Sequence, residues 1–429
     1  MRRTVWRPLL KGPLAGRALD AVEEIATAVR PDGLARARKR SLSFTARDAS
    51  LAGGTAGLAV FYAYLSRANS NGRHDSIASR FLAEAGDAVA TVTMPPSLYG
   101  GFSGVAWATA HLQKGFLGRN GASSTSQVDR ILKGYLNRPG WVGEYDLVSG
   151  LVGLGVYALE RLPAPAAVGC LEGIVDRLAE TATRRAGGVA WFTPPGLLPD
   201  WQRKQSPRGY YNLGLAHGVP GVIAVLGAAC ASGIRPRKAR KLLDDAVAWL
   251  LRQERAEETG SRFPSWSEFR SKRESCRSAW CYGDPGVAAA LFVASRCVGE
   301  PEWEREALRI ARGVAARPTD EAGVVDAGLC HGAAGLGHVF NRMYQATGDE
   351  EFGRAARFWF ERTLEMRQPR RGIGGFRALA AREDGTSYWE DDEGILTGAS
   401  GIALALQAAT TSIEPDWDRM MLLSIRNLQ

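Results

Sequence analysis

The chain has 429 residues, of which 45% are apolar and 23% are charged, and these are ordinary values for a globular protein. It has no apolar stretch of the roughly 18 residues that cross a membrane and no secretory-type amino end, so we predict a cytoplasmic protein without a transmembrane segment. The net charge of +9 favours an acidic partner, and the six scattered cysteines do not resemble a disulfide framework.

The 50 glycines are explained in part by an internal repeat. A G-x-x-G pair followed by about nine apolar or small residues occurs seven times, at intervals of 47 to 68 residues. This is the pattern of a sevenfold repeat with variable loops. The first glycines of the seven pairs are Gly54, Gly101, Gly150, Gly218, Gly283, Gly332 and Gly398.

An amphipathic segment precedes each glycine pair, with apolar residues spaced by three and four and charges between them. Seven helices with one solvent-exposed face therefore alternate with seven helices that are apolar on nearly all sides. Closing this alternation into a ring leaves no apolar helix exposed at an end, so we predict an all-α protein, an α/α toroid in one domain over residues 1–429. An open solenoid is the alternative. The amphipathic segments are residues 18–29, 80–92, 127–138, 170–184, 240–253, 303–317 and 350–367.

Three longer connections are rich in Pro, Gly and aromatic residues, and we expect short strands or ordered loops there rather than helix. They begin at Trp191, Ser261 and Arg370, and each leads to the start of an apolar helix. We place them at the rim of a central cavity and expect no second domain.

Chemistry-bearing residues stand directly before two consecutive glycine pairs. Cys281 precedes the fifth pair, and Cys330 and His331 precede the sixth. Two thiolates and one imidazole suit Zn²⁺, and three protein ligands leave one tetrahedral position open, as in a catalytic site. The alternative is that both cysteines are small core residues. His217 stands before the fourth pair, and a capping or core role is the alternative for it. Asp146 lies just ahead of the third pair, where a helix cap is the simpler interpretation.

The repeat, together with "SAWCYGDPG", "LCHGAAG", "LAHGVPG" and "YDLVSG", resembles the lanthionine synthetase C-like cyclases over residues 14–410. The resemblance implies a toroid with a central zinc held by Cys281, Cys330 and His331. It also implies addition of a peptide cysteine to a dehydroalanine or dehydrobutyrine that a dehydratase made beforehand. His217 is then the candidate general acid for the enolate, and Asp146 orients it or fixes its charge. Arg277 stabilises the developing oxyanion, and Tyr282 matches a family tyrosine in the cavity.

The resemblance implies a dehydrated precursor peptide with a leader as the partner, with a dehydratase and a transporter as further candidates and no nucleic acid. We expect an acidic leader to bind a basic loop on the rim, and a peripheral place for the protein in a biosynthetic complex. The alternative function is a non-catalytic, zinc-containing toroid that binds glutathione, another thiol or a peptide. A glycosidase is disfavoured because two facing carboxylates are missing, and a prenyltransferase because a diphosphate would find no basic cluster. The basic residues of the loop are Arg262, Arg270, Lys272 and Arg273.

Overall fold

The computed structural model describes residues 5–32, 44–69, 72–117, 122–255, 260–267, 276–382 and 384–424. The chain divides into two compact units, and the single domain over residues 1–429 stays a prediction. Unit 1 comprises Met1–Thr125, Val325–Ala380 and Tyr388–Trp417. Unit 2 comprises Ser126–Val324, Ala381–Ser387 and Asp418–Gln429.

A helix follows each of the seven glycine pairs, as the repeat predicts. Each begins at the residue after the first glycine of its pair, and most of its residues are buried on all sides, as the apolar sequence requires. These glycine-pair helices are Thr55–Asn69, Phe102–Gly115 and Leu151–Arg161, then Val219–Ala231, Asp284–Val298, Ala333–Thr347 and Ala399–Thr410.

The second glycine of a pair is required by close packing of the backbone. A Cβ at Gly104 would lie 1.8 Å from the carbonyl oxygen of the residue six positions earlier, and at Gly335 and Gly286 the same distances are 2.0 and 2.3 Å. Real Cβ atoms do not approach this closely, so a side chain would push the preceding turn away. Among the paired glycines only Gly283 has a positive φ, of 85°. The remaining pairs are therefore explained by space and not by left-handed backbone.

Seven amphipathic helices lie at the predicted places, and several begin earlier than the apolar periodicity indicates. Proline is the first residue of three of them, where its fixed φ and missing N–H suit a helix start. Their buried residues fall on one face, for example Ala307, Ile310, Ala311 and Val314. The helices are Gly12–Ala28, Gly72–Thr91, Ala122–Leu136, Pro165–Thr181, Pro236–Leu251, Pro301–Ala316 and Glu350–Glu365.

Short strands occupy the longer connections, as predicted. The first sheet has the antiparallel order β1 (Ala182–Arg185), β2 (Gly188–Thr193), β3 (Tyr210–Asn212) and β4 (Trp266–Ser267). The second contains β5 (Ala378–Ala381) and β6 (Ser387–Glu390).

Two details of these connections were predicted wrongly. Residues 182–184 belong to a strand and not to the preceding helix, because the positive φ angles of Gly187 and Gly188 turn β1 back onto β2. Asp200–Gln205 forms a helix where a loop or strand was expected. The described residues also include the short helix Ala46–Ala49 and the 3₁₀ turns Pro195–Leu197 and Asp416–Met421.

Backbone hydrogen bonds join the turns that precede consecutive glycine-pair helices within each unit. The residue two positions before the first glycine carries most of these bonds. In unit 1 Cys330 donates to the Leu396 carbonyl, Leu396 donates to Ala52, and Ala52 donates to Tyr99, at 2.8 to 3.1 Å. The repeat thus places the same sequence position of each turn beside its neighbour. No helix in the part of the chain that the structure describes is long and apolar enough to cross a membrane.

Candidate metal centre and its histidines

Cys281 is held in place by the turns of the third, fourth and fifth repeats in unit 2. Its carbonyl oxygen accepts a hydrogen bond from Ala216 N at 3.3 Å, and the Ala216 carbonyl accepts one from Leu147 N at 3.1 Å. The Cys281 side chain is buried. The turn that carries this thiol is therefore set by backbone pairing, and the residues that follow Ala216 and precede Leu147 are brought into its neighbourhood.

His217 and Asp146 are brought together by this arrangement. The Nδ1 atom of His217 lies 2.6 Å from Oδ2 of Asp146, whose other oxygen accepts from Ser149 N at 2.7 Å. The carboxylate is almost fully buried, whereas 41% of the His217 side chain is exposed. A carboxylate accepts only, so Nδ1 carries the proton that is donated to Asp146 and Nε2 is the nitrogen turned to other partners.

The pKa of His217 is raised above its ordinary value by this environment. Burial opposes the charged form, but the hydrogen bond and the charge of Asp146, with smaller contributions from Cys281 and Glu144, outweigh it. Asp146 therefore stabilises the charged form of His217 relative to a free imidazole.

Glu144 is a titratable neighbour that the sequence analysis missed. Burial, followed by repulsion from Asp146, raises its pKa to about 7, and attraction to His217 partly offsets this. Its backbone carbonyl accepts from Leu151 N at the start of a glycine-pair helix, at 3.3 Å. The only sequence signal was its position, six residues before Gly150, and one acidic residue in a turn is too common a feature to single out.

Tyr282 and Arg277 have different surroundings. The Tyr282 ring is stacked on the ring of His217 at a centroid distance of 6.0 Å, and its hydroxyl oxygen accepts from Asn212 Nδ2 at 3.0 Å. Burial raises the pKa of Tyr282 well above its ordinary value, so the hydroxyl stays protonated. Arg277 is exposed beside the turn at Gly323, and the described residues give its guanidinium no hydrogen bond or ion pair.

Cys330 and His331 lie on a turn of unit 1 that begins at Asp326. The His331 Nε2 atom is 3.0 Å from Asp326 Oδ2, and the Asp326 side chain is completely buried. The Cys330 backbone is fixed by its bond to Leu396, and neither its side chain nor that of His331 is fully buried. Asp326 was not selected from the sequence.

The donor set fits a soft divalent metal. A ligand atom of each of Cys281, Cys330 and His331 lies within 4.8 Å of the other two. Two thiols and an imidazole are a ligand set that suits zinc. Three protein ligands are typical of a catalytic zinc site. The residues present therefore fit the metal that the sequence pattern predicts.

The basic loop gives less support to the prediction that an acidic leader binds there. Arg262 is the part of it that the structure describes, and its guanidinium is paired with Glu254 at 2.9 Å. Arg270, Lys272 and Arg273 lie outside the described residues.

Residues 45–422 match the lanthionine synthetase C-like protein family, so the chain belongs to this family. It is similar to the nisin biosynthesis protein NisC of Lactococcus lactis subsp. lactis, with 22% identity over 74% of this chain and 79% of that protein. It is also similar to a glutathione S-transferase of Danio rerio, with 36% identity over 70 residues, or 16% of each protein.

Among solved structures the chain is similar to a nisin cyclase, with a TM-score of 0.75, 19% identity, and coverage of 94% of this chain and 96% of that one. This likeness confirms the predicted fold class, an α/α toroid. The family prediction is likewise confirmed.

Proposed function

We propose that this protein is a lanthipeptide cyclase, a lanthionine synthetase that joins peptide cysteines to dehydroalanine or dehydrobutyrine and so forms thioether rings. The observation that carries the proposal is the cluster of Cys281, Cys330 and His331 in a chain of the lanthionine synthetase C-like family. The similarity to the nisin protein supports the same reaction and a dehydrated precursor peptide as the substrate. A dehydratase and a transporter are the proposed partners, and the cytoplasm is the proposed location.

Cys281, Cys330 and His331 would hold one zinc ion. When bound, zinc would supply a positive charge that lowers the pKa of a coordinating thiol, whose ordinary value is about 8.5. With only three protein ligands, the ion would be able to take up such a thiol as a further ligand. The burial of Cys281 helps to exclude water from the place where the substrate sulfur would bind.

His217 would deliver the proton that completes the reaction. As the sulfur–Cβ bond forms, the π electrons of the dehydroamino acid move toward Cα and the adjoining carbonyl, and protonation at Cα ends the addition. The thiol has released one proton and Cα takes up one, so the addition is balanced. Asp146 accepts a hydrogen bond from Nδ1 of His217 and so directs the Nε2 proton to the substrate. The charge of Asp146 also stabilises the imidazolium.

Tyr282 and Arg277 have supporting roles in this proposal. The Tyr282 ring packs on His217 and limits its rotation, while Asn212 fixes the Tyr282 hydroxyl. Arg277 is exposed and would stabilise negative charge on the substrate carbonyl when the peptide is bound.

A second candidate function is suggested by the similarity of a 70-residue segment to a glutathione S-transferase. The same metal cluster and the same histidine would then serve glutathione as the thiol, either in an addition to an alkene or as a bound ligand. The two candidates differ in the thiol that is used and not in the site.

The test uses a dehydrated, cysteine-containing precursor peptide with the purified protein, with glutathione in a second reaction. Ring formation leaves the peptide mass unchanged and removes one alkylatable thiol per ring, whereas glutathione addition increases the mass. We expect faster loss of peptide thiols than without enzyme. Unchanged thiol loss, or glutathione adducts alone, would count against the cyclase.

A further inference from the structure

We propose that Asp326 is the positioning residue of the candidate metal centre, and that it sets which nitrogen of His331 binds the metal. The inference rests on the proposed function in so far as His331 is a metal ligand. It concerns a carboxylate outside the ligand set, which neither the sequence pattern nor the cluster of ligand atoms includes.

The contacts of Asp326 show that its carboxylate does more than close a turn. Its Oδ1 atom accepts a hydrogen bond from Gly328 N at 3.2 Å. Its Oδ2 atom accepts from Leu379 N at 3.3 Å and lies 3.0 Å from His331 Nε2. One oxygen therefore bonds the backbone of its own turn, and the other faces the His331 imidazole. The Asp326 side chain is completely buried.

The other repeats separate these two roles. Asn212 and Asp392 occupy the same position, six residues before the first glycine, and both make the same turn with the backbone N–H two residues on, at 2.9 and 2.7 Å. Asn212 shows that an asparagine is sufficient for the turn. The second oxygen of Asp392 accepts from the Thr397 hydroxyl at 2.5 Å instead of facing a histidine. Only Asp326, among these three, combines the turn with a histidine of the ligand set.

The consequence concerns the tautomer of His331. A carboxylate can only accept, so Asp326 favours the proton on Nε2 and a lone pair on Nδ1 for the metal. The pairing also fixes the ring orientation and makes the imidazole a better ligand. Asparagine keeps the oxygen that bonds Gly328 N but places an NH₂ group opposite Nε2 and Leu379 N. This favours the other tautomer, whose proton is on Nδ1.

The experiment measures zinc affinity by chelator competition on the full-length protein, for wild type, Asp326→Asn and Asp392→Asn. Cobalt titration gives a second readout, since its visible absorption reports the ligand set. We expect Asp326→Asn to weaken zinc binding by about 10- to 100-fold and to change the cobalt spectrum. Asp392→Asn, which makes the same chemical change in the same kind of turn, should bind both metals as wild type does. Thermal unfolding of the metal-free proteins shows whether both variants fold.

Wild-type zinc affinity in folded Asp326→Asn would overturn the proposal, and so would equal weakening in both variants, which would mean that only the turn matters. If Asp326→Asn does not fold, Asp326→Glu replaces it. Zinc binding and a cobalt spectrum like those of wild type then support the role of the carboxylate, and loss of zinc binding contradicts it. Failure of the wild type to close rings while the affinity difference persists would refute the cyclase and leave this inference standing. Failure of the wild type to bind zinc would refute both.

Discussion

Replacing Gly335 by alanine tests whether space explains the glycine pairs. Gly335 is the second glycine of the sixth pair and lies in the first turn of the helix Ala333–Thr347. The new Cβ would be 2.0 Å from the Leu329 carbonyl oxygen and 2.8 Å from its carbon. Since Cβ contacts below about 3 Å are not tolerated, helix and turn must separate by roughly 1 Å. This turn also carries Cys330 and His331.

The size of the effect follows from two opposing contributions. Overpacking typically costs about 1 to 3 kcal/mol, and a clash with rigid backbone falls at the upper end of that range, whereas the helix gains about 1 kcal/mol from alanine. We therefore expect Gly335→Ala to lower the free energy of unfolding by about 2 kcal/mol. Gly86 is the matched control because it lies within the helix Gly72–Thr91 and a Cβ there meets no atom within 4 Å. Gly86→Ala should stabilise the protein by up to about 1 kcal/mol.

The assay is urea unfolding of the metal-free proteins, followed by circular dichroism, together with thermal melts. The two substitutions should shift the midpoint in opposite directions, and Gly335→Ala should also weaken zinc binding. Stabilisation of the protein by both substitutions would refute the packing explanation, since helix propensity alone would then decide the result.

Two further predictions concern the metal and the pH dependence. The purified protein should hold about one zinc per chain, and Cys281→Ala or Cys330→Ala should lose most of it, because two ligands retain zinc poorly, whereas Cys230→Ala should keep it. Full occupancy in both ligand variants would contradict the assignment. Glu144, with its pKa raised to about 7, binds its proton more tightly in the folded state, so its contribution to stability is lost as the pH rises from about 4.5 through 7. Glu144→Gln should therefore stabilise the protein by roughly 1 to 2 kcal/mol more at pH 8 than at pH 5 in urea unfolding, which is less than the full pKa shift would give because solvent screens this partly exposed carboxylate. An equal gain at both pH values would show that the pKa of Glu144 is not raised.

The sevenfold helix pattern was predictable because burial decides it. A helix buried on all sides needs an apolar sequence all round, and close backbone contact needs glycine, so both features are written in the residues at each repeat. Helix starts were less predictable, since the helices that begin at Pro165, Pro236 and Pro301 start two to five residues before the apolar periodicity does. The strand Ala182–Arg185 was missed because its sequence continues the helical pattern, and pairing with β2 overrides it.

The candidate ligands were also visible in the sequence, because Cys281 and Cys330 both stand two residues before the first glycine of a pair, and His331 follows Cys330 directly. The neighbouring carboxylates Asp326 and Glu144 were not selected from the sequence. Asp326 had a signal that could have been used, an Asp or Asn followed two residues later by glycine, in the same position as Asn212 and Asp392. Glu144 had only its position six residues before Gly150, since its raised pKa depends on burial and on the charge of Asp146, and both arise only in the fold.

The central claim is that His217, held by Asp146, delivers the proton in ring closure. It is tested by the rate and ring pattern on one dehydrated precursor, with wild type, His217→Asn and no enzyme side by side and zinc content measured on each protein. We predict that His217→Asn keeps its zinc and its fold and closes rings about 10²- to 10⁴-fold more slowly than wild type. Closure at the wild-type rate and pattern by His217→Asn, or a wild type no faster than the reaction without enzyme, would contradict the account.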